Sequence, residues 1–367
     1  MIRGLTRRYF VSLHKWLALS LGVWFVLVGI TGSILAFDYE IDLTLNGELV
    51  GDCSLNPNQN IPFEQLLEIG GKVASNRLPQ RIAIPYGKDV IRIYFDGPGA
   101  YEVAISRCSG KVLLVREFES SFVNTVFRLH AKLLSGDAGR IIVGFLGFGL
   151  LLSLVSGITL WWPGKKHFKK AWKVNWYSSR WRLLLDLHRV SGSSLGLLLL
   201  VTVVTGVAVS FPDTTRTLVS SAFPTVPRSH DHSAAIKKIN VDEAVRVAQF
   251  EFPNAVLMAV KLPTVKRPTT QVVLRQAGDP MKYTGQTSLR IRSANDIEVL
   301  IDTQKLPPGE LILRWIFPLH SGEAFGFWGR VLTCILGFLP LGLFCTGIWL
   351  WLKKRSISTR TAHKLGL

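Results

Sequence analysis

Four long stretches of this chain contain no charged residue. They are the runs Trp16–Phe37, Ile141–Trp162, Val190–Pro212 and Val331–Leu352, each 22 or 23 residues long. A helix rises about 1.5 Å per residue, so each run is long enough to cross a hydrocarbon core about 30 Å thick. The mean hydropathy of +0.28 and the 48% of hydrophobic residues exclude an ordinary soluble protein of 367 residues. The sequence therefore predicts a membrane protein with four spanning helices.

A signal-peptide cleavage site is missing after the first run. No small-x-small sequence follows before Asp38, and the run is longer than the apolar core of a signal peptide, which is about 7–15 residues. We therefore expect a retained membrane anchor.

Acidic residues are scarce where the basic ones concentrate. Segment 1–15 carries four Lys and Arg and no acid, loop 163–187 carries seven against Asp186 alone, and tail 353–367 carries five and no acid. The positive-inside rule places these segments, and both termini, in the cytoplasm, and it places the long mixed-charge loops 38–140 and 213–330 on the other side. Much of the net charge of +18 therefore lies beside anionic lipid headgroups, which argues against a nucleic-acid partner.

Several catalytic signatures are also missing. The sequence has no nucleotide-binding glycine loop, no flavin fingerprint and no Ser or Cys nucleophile with a convincing base. Of its four cysteines, Cys53 and Cys108 share the first long loop, where an oxidising compartment would permit a disulfide. Cys334 and Cys345 lie within the fourth run, as apolar filling.

The chain contains an internal duplication. LHKWLALSLGVWFVLVGITG (13–32) and LHRVSGSSLGLLLLVTVVTG (187–206) each place a histidine 17 residues before a Thr-Gly pair. Segments 129–162 and 319–352 align without a gap. Each half is therefore a helix, an outer domain and a second helix, and parallel repeats of this kind pack around a pseudo-twofold axis along the membrane normal.

Each long loop has the pattern of a small α+β unit, with one helix followed by four short strands. The predicted elements are a helix over 63–75 with strands 81–85, 90–95, 101–105 and 111–116, and a helix over 241–252 with strands 256–262, 269–274, 288–292 and 297–302.

The ordered set of motifs resembles a known family. A span that opens with Leu-His-basic and closes with Thr-Gly, a module that ends in SGKVL (109–113), then LH…G…GR…G…LWW and a basic loop are similar to the PepSY-associated transmembrane helix family. The resemblance covers essentially the whole chain. It implies an α-helical membrane protein, with four transmembrane helices in two parallel repeats and two small PepSY-like α+β domains in the periplasm.

The predicted organisation divides the chain into eight parts. They are the N-terminal segment and first helix (1–37), the first periplasmic domain (38–128), an outer histidine segment with the second helix (129–162), a basic cytoplasmic loop (163–187), the third helix (188–212), the second periplasmic domain (213–318), an outer histidine segment with the fourth helix (319–352) and a cytoplasmic tail (353–367).

Four histidines stand at equivalent places in the two repeats. His14 and His188 lie at the predicted cytoplasmic ends of the first and third helices, and His130 and His320 precede the second and fourth on the outer side. Equivalent residues face each other across a twofold axis, so each side of the membrane acquires an imidazole pair. Two opposed imidazoles are what a six-coordinate b-type haem requires, which predicts one haem at each surface. One alternative is that these are interfacial histidines that only satisfy helix ends or reach the headgroups. A tetrahedral zinc site is disfavoured because it needs all its ligands at one place, and these histidines are split between the two faces of the membrane.

Basic residues near these histidines are candidate partners for haem propionates. Arg140 and Arg330 are matched outside the second and fourth helices, and Lys15 and Arg189 directly follow the inner histidines. Guanidinium groups bind carboxylates in bidentate fashion, although cations at helix ends also simply reach for headgroups. His230-Asp231-His232 is a weaker candidate for contact with iron or a ligand.

Within the family, the chain is most similar to inner-membrane di-haem reductases of ferric siderophores. That resemblance implies an oxidoreductase of the bacterial inner membrane, which passes electrons from an unidentified cytoplasmic or membrane donor to a periplasmic ferric siderophore. Two alternatives stay open. The first is an anchored inhibitor or sensor of an envelope peptidase, because PepSY modules also occur in peptidase propeptides. The second is an iron-chelate permease, which is disfavoured because the four runs lack charged residues to line a polar path.

Overall fold

A computed structural model describes most of the chain, namely residues 2–49, 53, 60–75, 77–85, 89–96, 100–164, 167–227, 239–265, 267–281 and 283–364. The α-helices are α1 (Ile2–Leu35), α2 (Asp38–Leu45), α3 (Phe63–Val73), α4 (Phe122–Lys132), α5 (Gly136–Trp161), α6 (Phe168–Ala171), α7 (Arg180–Ser210), α8 (Pro212–Ala222), α9 (Val241–Glu251), α10 (Pro308–Ser321) and α11 (Gly326–Lys364). The strands are β1 (Pro79–Ala83), β2 (Val90–Phe95), β3 (Tyr101–Ser106), β4 (Val112–Glu117), β5 (Val256–Lys261), β6 (Thr270–Arg275), β7 (Thr287–Ser293) and β8 (Asp296–Ile301).

In the described part of the chain, four helices are long and apolar enough to cross a membrane. Their candidate spans are Thr6–Leu35, Gly136–Trp161, Arg180–Ser210 and Glu323–Ser356, which confirms the four predicted spans. The helices extend beyond the uncharged runs, because a helix continues through charged flanking residues once it leaves the lipid. This is a multi-pass membrane protein.

The spanning helices form a bundle in which α1 contacts α5 and α11, and α7 contacts the same two helices. A buried apolar layer lies between them, made of Leu154, Leu199, Val203, Leu336 and Leu339. Small residues permit the closest crossings, as where a Cβ at Gly29 of α1 would collide with the carbonyl oxygen of Gly337 on α11. We call the end of the bundle that leads into the strands the sheet side, and the opposite end the basic end.

The strands form one antiparallel sheet of eight, in the order β4-β3-β2-β1-β5-β6-β7-β8. The sequence predicts two separate four-stranded units, and the structure corrects this: β1 and β5 pair, with Ile82 opposite Val260. Each would otherwise be an edge strand with unpaired N–H and C=O groups, and their pairing removes both edges. The strand positions agree with the predicted ones to within two residues.

Helices α3 and α9 cover one face of the sheet and bury its main core. That core includes Leu66 on α3, Ile93 and Ile105 in the first half, and Ala244 and Leu274 in the second. Successive residues of a strand alternate between faces, so the opposite face carries the intervening, more polar side chains.

Short helices that the sequence analysis did not predict connect the sheet to the bundle. His130 lies near the end of α4 and His320 near the end of α10, rather than on continuous extensions of the spanning helices. The chain breaks after α4 at Leu133 and Leu134, and after α10 at Gly322, all with positive φ. These left-handed positions let each short helix end and the spanning helix start in a new direction.

The first half also contains a disulfide. Cys53 and Cys108 are joined, with their Cα atoms 5.2 Å apart, so the pairing that the sequence left open is formed.

A buried ion network fastens the bundle to the sheet. Asp42 of α2, directly after the first span, binds Arg92 at 2.8 Å and Arg116 at 2.7 Å, and both arginines also bind Glu102. Asp42 is 3% exposed and Glu102 is fully buried. Buried charges are tolerated only when they are paired in this way, so the network fixes α1 relative to the sheet.

Glu102→Gln should strongly destabilise this region. Loss of the carboxylate charge leaves two buried guanidinium groups sharing one acid, and breaking a buried network of this kind costs about 3–5 kcal/mol. Glu119→Gln is the matched control, because Glu119 is 58% exposed in its side chain and pairs with Arg128 at the surface, where ion pairs contribute about 0–1 kcal/mol. Thermal unfolding in detergent measures both variants, and equal unfolding temperatures would contradict this account.

Candidate functional site

The structure brings the four predicted histidines together in the two expected pairs. The ring centroids of His14 and His188 are 6.4 Å apart at the basic end, and those of His130 and His320 are 6.1 Å apart at the sheet side. Two imidazoles that share one metal through nitrogens at about 2 Å place their centroids roughly 6 Å apart. Both pairs therefore have the separation of a metal centre with axial histidines.

The Nδ1 atom of each histidine contacts an oxygen on a neighbouring helix. The Nδ1 atoms of His14, His130 and His320 lie 2.9 Å from the carbonyl oxygens of Ser153, Val28 and Thr202, and that of His188 lies 2.8 Å from the Thr346 hydroxyl. A carbonyl can only accept, and the Thr346 hydroxyl already donates to the Gly342 carbonyl at 2.7 Å, so Nδ1 carries the proton in each histidine and Nε2 keeps its lone pair. This is the arrangement by which proteins orient metal-binding imidazoles.

Each imidazole also lies against a glycine of the same neighbouring helix, preceded by Ser or Thr. The pairs are Ser156-Gly157 for His14, Thr31-Gly32 for His130, Thr205-Gly206 for His320 and Thr346-Gly347 for His188. The sequence analysis noted Thr-Gly only as a spacing marker and missed this role. A Cβ at Gly206 would lie 2.7 Å from His320 Cε1, one at Gly32 would lie 2.9 Å from His130 Cε1, and one at Gly157 would lie 3.0 Å from His14 Cε1, so a side chain there would displace the ring. At Gly347 the Cβ would lie 3.5 Å from His188 Cε1, which is an ordinary contact.

The spacing within α1 sets the distance between the two pairs. His14 belongs to one pair and Gly32, eighteen residues later, supports the other. At about 1.5 Å per residue the two pairs lie roughly 27 Å apart along the bundle, which is close to the thickness of the hydrocarbon core.

The sheet-side histidines are neutral in the physiological range. Burial, with the nearby His320, lowers the pKa of His130 to about 4, and burial also lowers the pKa of His320. A neutral imidazole is the form that ligates a metal.

A cavity of about 600 Å³ surrounds His14 and His188 between the spanning helices. Its volume is within the range of cofactor pockets, about 300–1,000 Å³. The predicted cations Lys15 and Arg189 line it, and so do two that the sequence analysis missed, Arg7 and Lys354.

The cavity also contains an unsatisfied donor. Trp161 lines it and is 6% exposed, and among the described residues its Nε1 atom is buried without a hydrogen-bond partner. Apolar walls, two opposed imidazoles, four cations and a free indole N–H fit a porphyrin with carboxylate side chains.

A family model described as the PepSY-associated TM region matches residues 11–354. The chain belongs to the PepSY-associated transmembrane family. The match includes all four histidines and every strand of the sheet. No curated protein matches the chain.

The two sheet-side arginines of this PepSY-associated protein have unequal surroundings. Arg330 is 4% exposed, donates from Nε to the Ala36 carbonyl at 2.6 Å, and forms a bidentate pair with Glu40. Arg140 donates to the Ser210 carbonyl at 2.7 Å, and its Nε lies 3.6 Å from Asp137.

These contacts give the arginines a shared structural role that the sequence analysis missed. The repeat that aligns His14 with His188 aligns Ala36 with Ser210, so each arginine fastens the start of a spanning helix to the end of its neighbour. The same alignment places Thr214 where Glu40 stands. Arg140, not Arg330, therefore keeps the freer guanidinium for a carboxylate ligand.

Two further groups of residues lie outside the histidine pairs or outside the described residues. His230 and His232 lie outside the described residues. Phe317, Phe325 and Trp328 are exposed at the junction of α10 and α11, at 42%, 65% and 75%, and aromatic side chains are enriched at such positions near the membrane–water interface.

Gly206→Ala should displace the His320 ring and destabilise the bundle. The new Cβ lies 2.7 Å from Cε1, and overpacking of this kind costs about 1–3 kcal/mol. Gly196→Ala on the same helix is the control, because its Cβ would meet only Leu154 at 3.6 Å, an ordinary contact. Thermal unfolding should show a lower transition for Gly206→Ala and no decrease for Gly196→Ala; identical shifts would mean that the glycine has no role in seating the ring.

Proposed function

We propose that this protein binds two b-type haems, one between His14 and His188 and one between His130 and His320, and conducts electrons across the membrane to a ferric siderophore on the sheet side. The observation that carries the proposal is the pair geometry: two opposed imidazoles at each end, with Nδ1 protons engaged and centroids 6.1 and 6.4 Å apart. Haem supplies the one-electron chemistry that the side chains of the bundle lack.

Two observations support an orientation with the sheet in the periplasm. The segments at the basic end carry most of the excess Lys and Arg, which the positive-inside rule assigns to the cytoplasm. The Cys53–Cys108 disulfide lies on the sheet side, and disulfides persist in oxidising compartments such as the periplasm. The location we propose is the bacterial inner membrane.

In this scheme the side chains of the bundle would hold the two haems and keep the two haem sites apart. The carboxylates of the haem at the basic end would be neutralised by four cations, Lys15, Arg189, Arg7 and Lys354. Trp161 would donate its indole N–H to the same haem. Arg140 is the matching cation at the sheet side. The buried leucines and valine between the two pairs exclude water and ions, so that layer separates the two sites without a polar path.

That apolar layer also favours an electron conduit over a permease, because a charged chelate has no polar route through the described part of the bundle. Reduction suffices to release the iron, since oxygen chelators hold ferric iron much more tightly than ferrous iron. An inhibitor or sensor of a peptidase would need only the sheet, and it leaves the four matched histidine contacts without a purpose.

The purified protein should contain two haems per chain and show a b-type absorption spectrum that dithionite reduces. His14→Ala and His320→Ala should each remove one haem, because each leaves a single axial ligand in its pair. His167→Ala is the control, since His167 is exposed in the basic loop. A colourless protein from haem-replete cells, or full haem content in both variants, would overturn the proposal.

A further inference from the structure

A pair of like charges lies at the centre of the sheet. Arg81 of β1 stands directly opposite Lys261 of β5. Both side chains lie on the face opposite α3 and α9, because their neighbours Ile82 and Val260 are buried under those helices. Like charges directly opposite each other destabilise a sheet, so this pair costs stability unless something offsets it.

Two further cations approach the pair, and we call Arg81, Lys261, Arg267 and Arg314 the cation cluster. Burial, together with the charges of Arg267, Arg81 and Arg314, lowers the pKa of Lys261. Burial and Arg81 likewise lower the pKa of Arg267. Lys261 is therefore close enough to Arg81, Arg267 and Arg314 to be repelled by each of them, and Arg81 likewise repels Arg267.

Acidic residues neutralise the positive charges of the cation cluster only in part. Glu310 accepts from Arg314 at 3.0 Å, but it also pairs with Arg216 at 3.0 Å. Among the described residues Lys261 has no hydrogen-bond or ion-pair partner, and the buried Nε of Arg267 has none either. Arg314 and Arg216 thus share Glu310, and the Arg267 guanidinium donates to the carbonyl oxygens of Gln80 and Leu262, which carry no full charge.

The internal repeat provides a comparison within the molecule. A twofold axis through the paired residues Ile82 and Val260 exchanges β1 and β5. It places Ala259 at the position of Arg81 and Ala83 at the position of Lys261, and these two alanines also stand opposite each other. The alignment that pairs His130 with His320 places Asn124 at the position of Arg314. The fold therefore accepts neutral residues here, and the architecture does not require the cations of the cluster.

The cluster lies close to the sheet-side histidine pair. Arg314 and His320 are both on α10, six residues apart, which is about 9 Å along the helix axis. An anion held by the cluster would therefore sit next to the end of the bundle where His130 and His320 meet.

We propose that the cation cluster binds an anionic ferric chelate through its negatively charged oxygens. This assigns the substrate class of the proposed reductase, and it rests on that proposed function for the identity of the metal complex. Phosphate groups of lipids offer the same anionic oxygen chemistry, so the experiment must separate the two sources.

The test uses gallium complexes, which are not reduced and so report binding alone. The full-length protein in nanodiscs of zwitterionic lipid is titrated calorimetrically with a trianionic gallium tris-catecholate and with a monocationic gallium tris-hydroxamate. The wild type should bind the anionic complex at least about tenfold more tightly. Lys261→Gln and Arg81→Gln should each weaken that binding at least about tenfold, which is about 1.4 kcal/mol. Lys305→Gln, a cation 84% exposed outside the cluster, should leave it unchanged.

A second readout separates a ligand site from a structural role. Because the cluster is repulsive, Lys261→Gln should keep or raise the unfolding temperature. Equal affinity for the two complexes, or variants that bind like the wild type, would overturn the proposal. It would also fall if no chelate bound while anionic lipid stabilised the wild type but not Lys261→Gln, since the cluster would then be a lipid site.

The outcomes also distinguish the two proposals. A haem-free protein that prefers the anionic gallium complex would refute the proposed reductase function and leave the cation cluster as a binding site. A haem-containing protein that binds the two gallium complexes equally well would refute only the proposed role of the cation cluster.

Discussion

The arrangement of the bundle depends on four imidazoles that each give the Nδ1 proton to an oxygen of a neighbouring helix. This contact fixes the tautomer and the ring orientation, and it leaves the Nε2 lone pair of each histidine free of the contact. At three of the four crossings the ring lies so close to the neighbouring helix that a Cβ would approach it within 3.0 Å, which explains the glycines at 32, 157 and 206. Within each half the histidines brace their own two helices, and the pairs form only between halves. The duplication is therefore what creates two sites from one structural unit.

The two halves are similar in architecture and unequal in charge. Arg330 forms a bidentate pair with Glu40, whereas Arg140 makes a longer contact of 3.6 Å with the exposed Asp137. The first half carries the ion network of Asp42, and the cations around Lys261 come mainly from the second half, with Arg81 from the first. Features present in both repeats account for the bundle and its histidine pairs. Features present in only one are where a particular ligand would be recognised.

The sequence was sufficient for the parts of the structure that depend on local pattern. Uncharged length predicted the spans, alternation predicted the strands, and the matched His-to-Gly spacing predicted which histidines meet. It did not predict that β1 pairs with β5, because an unpaired edge strand has no signature beyond its own residues. The short helices α4 and α10 were missed because their sequences run directly into the spanning helices. The use of Arg330 depends on Glu40, which is 290 residues away, and such a pairing follows only from the packing.

An experimental density map of the full-length protein, purified from haem-replete cells, tests the central claim most directly. The account predicts a flat macrocycle between each pair, His14 with His188 and His130 with His320, with its iron about 2 Å from both Nε2 atoms. Rings that turn toward lipid, or pairs that close on each other with only protein or water between them, would contradict it.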